Sequence, residues 1–312
     1  MPGLVDLHRH LDGSLRLATV VELAQNLGLP VPAQLRFYPG MGLAEALSYF
    51  AFTLSLLRTE SAVSRVASEI CEDAEADGVT GLEIRFAPQL HVTEVDQRDR
   101  PAAMAAILDA ALDGIAGRAG VLLCGLYGEP PSMLESLVEL AKDRPGVVGI
   151  DLAGGPLTGH SFGLSDYRDA YQEAKRLGLG TTVHAGEGRP PEEIRQAVLV
   201  LGADRIGHGT SLLRDADITT LVRERGVTIE ACITSNIHVG AISRAEEHPI
   251  GGLLSAGVKV CVCTDNTLFS AVTSSSEYAL AKSLPGVGEV GLKRLLVNGH
   301  SARFVRRSPS TA

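Results

Sequence analysis

Short apolar runs alternate with longer amphipathic segments along most of the chain. The runs fall at Leu4–His8, Gly81–Phe86, Val121–Leu126, Val147–Ala153, Gly180–His184, Arg205–His208, Val227–Ile233 and Val258–Cys263. Most are rich in Val, Ile and Leu and bounded by Gly, Pro or polar residues, as buried strands are. Between them, Pro101–Ala116, Ser132–Lys142, Asp166–Leu177, Pro191–Leu201 and Asp215–Arg225 space their apolar residues three and four apart, the period of amphipathic helices. Eight strands alternating with helices predict an α/β fold, the parallel (β/α)8 TIM barrel. An open doubly wound sheet is the alternative. It usually carries a Gly-rich phosphate turn after its first strand, and neither a GxGxxG nor a Walker A match occurs here.

The connection between the first two strands, roughly residues 16 to 80, is too long for one helix. It holds helical patterns at Leu17–Leu27, Gly42–Thr53 and Ala62–Ala76. A helical insertion over the barrel mouth is expected there, and such insertions often form a lid. The pattern predicts one domain over residues 1–305, followed by a disordered tail over 306–312.

Composition narrows the function. Of 312 residues, 45% are apolar and only 4% aromatic, with no Trp, so the core is aliphatic. The formal net charge is −9 and no dense Lys/Arg run occurs, which argues against a nucleic-acid polymer as partner. No stretch has the length and apolarity of a membrane span. The first strand begins by Leu4, which leaves no room for a signal peptide. The five cysteines, Cys71, Cys124, Cys232, Cys261 and Cys263, contain no CxxC pair and read as reduced, buried thiols of a cytoplasmic protein. Oligomeric state leaves no mark on the sequence.

Candidate chemistry gathers at the C-terminal ends of the predicted strands, the face where barrel enzymes work. The first strand ends in His8, His10 and Asp12, the fourth in Asp151 and Gly154, the fifth in His184 and Glu187. The sixth ends in His208, the seventh in Ser235 and Asn236, the eighth in Asp265 and Asn266. His8 and His10 are two apart on an extended segment and face the same side. With His184 and Asp265 they form a donor set for a borderline-soft divalent ion, most simply Zn²⁺, with one position left for water. Elsewhere, His91, His160, His238 and His248 read as structural histidines. Glu83 and Arg85, on one face of the second strand, read as an ion pair with each other, and Cys261 and Cys263 as core residues.

The ordered motifs His8-Arg9-His10-Leu11-Asp12-Gly13, Asp151-Leu152-Ala153-Gly154, His184-Ala185-Gly186-Glu187, Arg205-Ile206-Gly207-His208-Gly209, Thr234-Ser235-Asn236 and Thr264-Asp265-Asn266 resemble the adenosine deaminase family of metal-dependent amidohydrolases. The match runs over nearly the whole chain. The resemblance implies hydrolytic deamination at C6 of an adenine ring by a zinc-activated water, with release of ammonia. It implies Glu187 as proton donor to N1, and His208 beside the water as base or electrostatic partner. It gives Asp265 two tasks, holding the metal and orienting the attacking oxygen. It implies His10, Asp12, Gly154 and Asn266 as substrate contacts, Gly154 through its N–H at N3 and Asp12 at a sugar hydroxyl. Many family members carry Asp-Asp where this chain has Asp265-Asn266. An Asn amide donates to purine N7 without needing protonation. The expected substrate is a small purine nucleoside, adenosine or 6-aminodeoxyfutalosine, a nucleoside of the menaquinone pathway. Arg16, Arg36, Arg58 and Arg189 favour the latter, since one of them could meet a carboxylate on an extended 5′ substituent. The rival readings are an amidohydrolase of free adenine or another heterocycle, and a catalytically silent barrel that only binds.

Overall fold

The computed structural model describes residues 3–156 and 159–306. Its strands are β1 (Leu4–His10), β2 (Val79–Phe86), β3 (Gly120–Leu126), β4 (Val147–Ala153), β5 (Gly180–Ala185), β6 (Arg205–His208), β7 (Thr228–Ala231) and β8 (Lys259–Val262). All pair in parallel and in sequence order. Beyond β8 the chain bridges back to β1 at Arg9 and Asp265, where the Asp265 N–H donates to the His8 carbonyl and the His10 N–H to the Asp265 carbonyl, both at 2.8 Å. The fold is a nearly closed (β/α)8 barrel with helices between the strands, as the alternation of apolar runs requires.

The predicted seventh strand stops early. Ile233 begins a short helix, Ile233–His238, so Ser235 and Asn236 project from that helix rather than from a strand end. Glu277 accepts from the Thr234 N–H and hydroxyl, which fixes the first turn of this helix.

Three helices lie between β1 and β2: α1 (Leu17–Asn26), α2 (Leu43–Leu56) and α3 (Glu60–Ala76). Helix α3, capped by the Thr59 hydroxyl, packs on β2 and on the helix Arg100–Ile115, and so belongs to the outer ring. Helix α2 places Leu43, Ala46, Leu47 and Phe50 over the mouth of the barrel. Aromatic contacts hold α2 there: Phe50 and Tyr49 meet Phe269 edge-on, and Phe37 stacks on Phe269 with 4.8 Å between ring centres.

The interior of the barrel is polar, although the core as a whole is the aliphatic one expected. Glu83, Arg85, Asp151, Arg205 and Glu230 all point inwards and are almost fully buried. Glu83 and Arg85 do not pair with each other. Arg85 bridges Asp151 and Glu230 at 2.8 and 2.9 Å, while Glu83 pairs with Arg205. Same-face residues two apart on one strand diverge to different neighbours across a barrel, which a single strand's pattern does not reveal. The aliphatic core lies instead between strands and helices. All five cysteines are free and buried. Arg306 is bound, its guanidinium donating to the carbonyls of Ala141, Lys142 and Arg144; the rest of the expected tail, 307–312, lies outside the described residues. No helix among the described residues is long and apolar enough to cross a membrane.

Candidate active site

The β1 pleat turns His8 and His10 inwards and Arg9 outwards. Arg9 pairs with Asp6 at 2.8 Å and donates to Thr264 and Ser274, which locks the seam between β1 and the end of β8. That seam delivers Asp265. Its Oδ1 lies 3.6 Å from His8 Nε2 and 3.4 Å from His10 Nε2, and the Ser235 hydroxyl donates to its Oδ2 at 2.5 Å. From β5, the His184 ring stands 4.6 Å from that of His8 and 5.4 Å from that of His10, centre to centre. Their donor atoms fall into two possible ligand groups that share His8, one with His10 and Asp265 and one with His184 and His208. His208, from the end of β6, joins them with its ring 4.9 Å from those of His8 and His184.

Asp265 and His208 both have positive φ, 62° and 66°, a conformation costly for residues with a Cβ. Such strain concentrates at functional sites, where the surroundings enforce it. Here both residues turn out of a strand end directly into the cluster.

Carboxylates deeper in the barrel orient two of the rings. Glu230 accepts from His8 Nδ1 at 2.7 Å, and Asp151 from His184 Nδ1 at 3.0 Å. Arg85, whose guanidinium also donates to the Leu7 carbonyl, ties the two carboxylates together. Tyr127 donates to the His184 carbonyl at 2.8 Å. With Nδ1 donating, His8 Nε2 is a bare acceptor, and it is buried without a protein partner. A buried lone pair facing a carboxylate oxygen and two more imidazoles is a donor set that fits a divalent cation.

Electrostatics follow burial and the barrel's charges. Burial, reinforced by Arg85, holds His8 well below its usual value, and burial does the same to His10. His208 falls to about 3, chiefly through burial and then through His184. At His184 burial also works against the charge, but Asp151 outweighs it and the net direction is upward. Glu187 is raised by burial, against the opposing pull of Arg189, His184 and Asn236. Asp12 is raised to about 7, by burial first and by Asp265 as well, and its Oδ1 is buried without a partner.

Asn236 has a role that sequence reading missed. Its amide nitrogen donates to Glu187 Oε1 and to His208 Nδ1, both at 3.0 Å, while its oxygen faces His248 Nε2 at 3.3 Å. It thus joins the two groups expected to handle protons. Asn236 stood in a motif, but nothing in a linear motif says which side chains it bridges. Glu230 gave no signal at all; it is one charged residue in an apolar run.

His10, Gly154, His184, Glu187, His208, Asp265 and Asn266 line a cavity of about 50 Å³ beneath α2. Asp12 is buried nearby on the same face. The Asn266 oxygen packs against Gly13, where a Cβ would stand only 1.9 Å from it, so any side chain at residue 13 would displace Asn266. A larger hollow, about 860 Å³, lies at the opposite end of the barrel, away from this cluster. The arginines expected to greet a carboxylate are largely committed. Arg16 pairs with Glu72 and Asp73, Arg36 donates to the Leu268 carbonyl, and Arg58 donates to Leu90 and Thr93. Arg189 pairs with Glu193, yet its Nη1 has no partner. His91 contacts the Leu57 carbonyl and His238 the Ser270 hydroxyl, both structural roles.

A parallel eight-stranded barrel carrying a histidine–carboxylate cluster at its C-terminal mouth defines the class of metal-dependent barrel hydrolases. Within that class, the family model for adenosine deaminase matches residues 3–311. A probable adenosine deaminase from Dictyostelium discoideum is 36% identical over 88% of this chain, which spans 37% of that longer protein. An adenosine deaminase from Clostridium perfringens is 32% identical, with 96% of this chain and 93% of the relative covered. Among solved structures, Arabidopsis ADAL in complex with IMP is similar at a TM-score of 0.83 and 28% identity, covering 96% of this chain and 92% of the other. The chain belongs to the adenosine deaminase family and is a hydrolytic deaminase of that type.

Proposed function

We propose that this protein removes the C6 amino group of an adenine nucleoside by hydrolysis, with Zn²⁺ held by His8, His10, His184 and Asp265. The observation that carries the reading is the bare, buried His8 Nε2 among those ligands, with the buried acid Glu187 beside them. When bound, the ion supplies Lewis acidity that makes a water nucleophilic near neutral pH.

The chain's own residues do the rest. Glu187, kept protonated by burial, donates to ring N1 as C6 becomes tetrahedral. Burial keeps His208 neutral, and its Nδ1 faces the Asn236 amide at 3.0 Å and Glu187 Oε1 at 3.2 Å; with the amide donating to Nδ1, the ring proton sits on Nε2. That makes His208 a donor towards the attacking oxygen, an electrostatic partner more than a base. Asp265 is fixed by Ser235 at one oxygen and orients that oxygen's approach with the other. Gly154 and Asn266 line the cavity, and in this reading they meet the purine edge, with Asn266 donating to N7. Most of the four arginines' donors are taken up by protein partners; Arg58 Nε and Arg189 Nη1 are buried donors that keep none, and either is the place to look for a carboxylate-bearing 5′ substituent.

The test is a spectrophotometric panel of adenosine, 6-aminodeoxyfutalosine, 7-deazaadenosine, AMP and adenine with zinc-loaded protein. Turnover of a nucleoside well above adenine and AMP is expected, with 7-deazaadenosine impaired in the wild type and much less so in Asn266→Ala. Preference for free adenine overturns the nucleoside reading. Full metal content and activity in His184→Ala overturns the ligand assignment. A His184→Ala protein that folds but binds no zinc supports it.

A further inference from the structure

The C-terminal segment reaches the barrel from the end opposite the site. After the helix Gly288–Ala302 the chain turns beneath the strands, and Phe304 seats its ring on Gly149 and Gly180. These two glycines are direct partners across β4 and β5. A Cβ would stand 2.2 Å from the ring at Gly180 and 2.8 Å from it at Gly149, so two neighbouring strands leave room for this one side chain. The Arg205 guanidinium lies 3.5 Å from the centre of the Phe304 ring. Its Nη1 donates to the Ala302 carbonyl at 2.9 Å, and the Phe304 N–H donates to Glu83 Oε1 at 2.6 Å. Glu83 in turn pairs with Arg205 Nη2 through its other oxygen.

Arg205 is also the last link to the metal ligands. Its Nε stands 2.6 Å from Glu230 Oε1, an ion-pair contact in which the Nε–H makes no hydrogen bond, while Glu230 Oε2 holds His8 Nδ1 at 2.7 Å. A line of contacts therefore runs from Phe304 through Arg205 and Glu230 to His8. We infer that Phe304 is a positioning residue for the metal centre, acting through Arg205 and Glu230. The inference rests on the metal reading of the site.

The physical reason lies in what surrounds Arg205. Its other neighbours border the hollow of about 860 Å³ lined by Lys175, Arg225, Lys259 and Arg303. The Phe304 ring covers one face of the guanidinium. Removing that face admits water to Arg205 and lets it leave Glu230. Glu230 then has only Arg85 and Thr182 to fix it, and the His8 ring loses its set orientation.

The experiment uses full-length, zinc-loaded protein and follows zinc transfer to a chromophoric chelator, alongside thermal melting of the metal-free form. Phe304→Leu keeps an apolar plug without the π face, and Phe304→Tyr keeps the face. Loss of an outer partner weakens metal binding about 10- to 100-fold, so Phe304→Leu should give up zinc about 10-fold more readily and Phe304→Tyr about as the wild type does. In a Glu230→Gln background, Phe304→Leu should add little, because the link is already cut. Lower melting with wild-type zinc affinity overturns the inference and leaves Phe304 a plug. So does a full additional loss in the Glu230→Gln background. Phe304→Met serves the same comparison if the leucine variant does not fold. Wild-type protein that takes up no zinc sinks the metal reading itself, whereas normal wild-type uptake with unchanged Phe304→Leu overturns only the role of Phe304.

Discussion

At the residue scale, the proposed reaction depends on a proton held where water would normally remove it. Glu187 is raised because burial penalises its charge, and the donors around it only partly offset this. The sign follows directly. The acid is fully present below its raised pKa and is lost as pH rises through it, so kcat should fall on the alkaline side. Glu187→Gln should fold, keep metal and lose about 10²- to 10⁴-fold in kcat, with that limb of the pH profile gone. Near wild-type turnover would remove Glu187 from the mechanism. Asn236 contacts both groups of that proposed proton chemistry. Asn236→Ala leaves Glu187 and His208 each short of a donor, at about 1–3 kcal/mol for an unmade buried hydrogen bond. A fall of roughly 10- to 100-fold in kcat/KM is expected, and steady-state kinetics at saturating metal would show it. An unchanged kcat/KM would make the contact ornamental.

At the element scale, α2 lines the cavity, and the proposed lid role rests on it. A cavity of about 50 Å³ is smaller than a purine, and its roof is Leu43, Ala46, Leu47 and Phe50. If α2 is a lid, substrate entry needs it to shift against the aromatic contacts that hold it on Phe269. Phe50 lines the cavity with no group that can exchange a proton, so its contribution should be felt equally before and during reaction. Phe50→Ala should raise KM roughly 10-fold and change kcat little, the signature of lost uniform binding. A large fall in kcat with KM unchanged would show instead that α2 shapes the reacting geometry.

At the scale of the whole molecule, buried charge makes stability depend on pH. Glu277 is raised to about 7, mainly by burial, against the Thr234 hydrogen bonds that favour its charged form. Its folded value exceeds its unfolded one. The stability it contributes is full below about 4.5 and is lost as pH rises through about 7. Thermal melting of the wild type should therefore decline across that window. Glu277→Gln, which cannot ionise, should show a shallower decline; an identical slope would mean that Glu277 does not titrate there. The same residue steadies the helix that carries Ser235 and Asn236, so the effect joins the frame to the site.

The chain's pattern alone determined the barrel, because strand and helix periods are local and the eight apolar runs repeat them in order. It also determined which residues meet at the mouth, since a parallel barrel sends every strand's C-terminal end to one face. His8, His10, His184, Glu187, His208 and Asp265 were legible on that ground. Three things were decided only in three dimensions. Glu230 and Arg85 orient His8 and tie it to Asp151, but strands as far apart in sequence as β1, β4 and β7 meet only when the barrel closes. Asn236 bridges Glu187 and His208 because β7 ends early and a helix begins, a boundary that apolar content could not mark. Phe304 finds Gly149 and Gly180 because the chain's end passes beneath the barrel. Local periodicity sets which face a residue presents; which residue it faces is set by closure of the sheet, and that is a property of the whole fold.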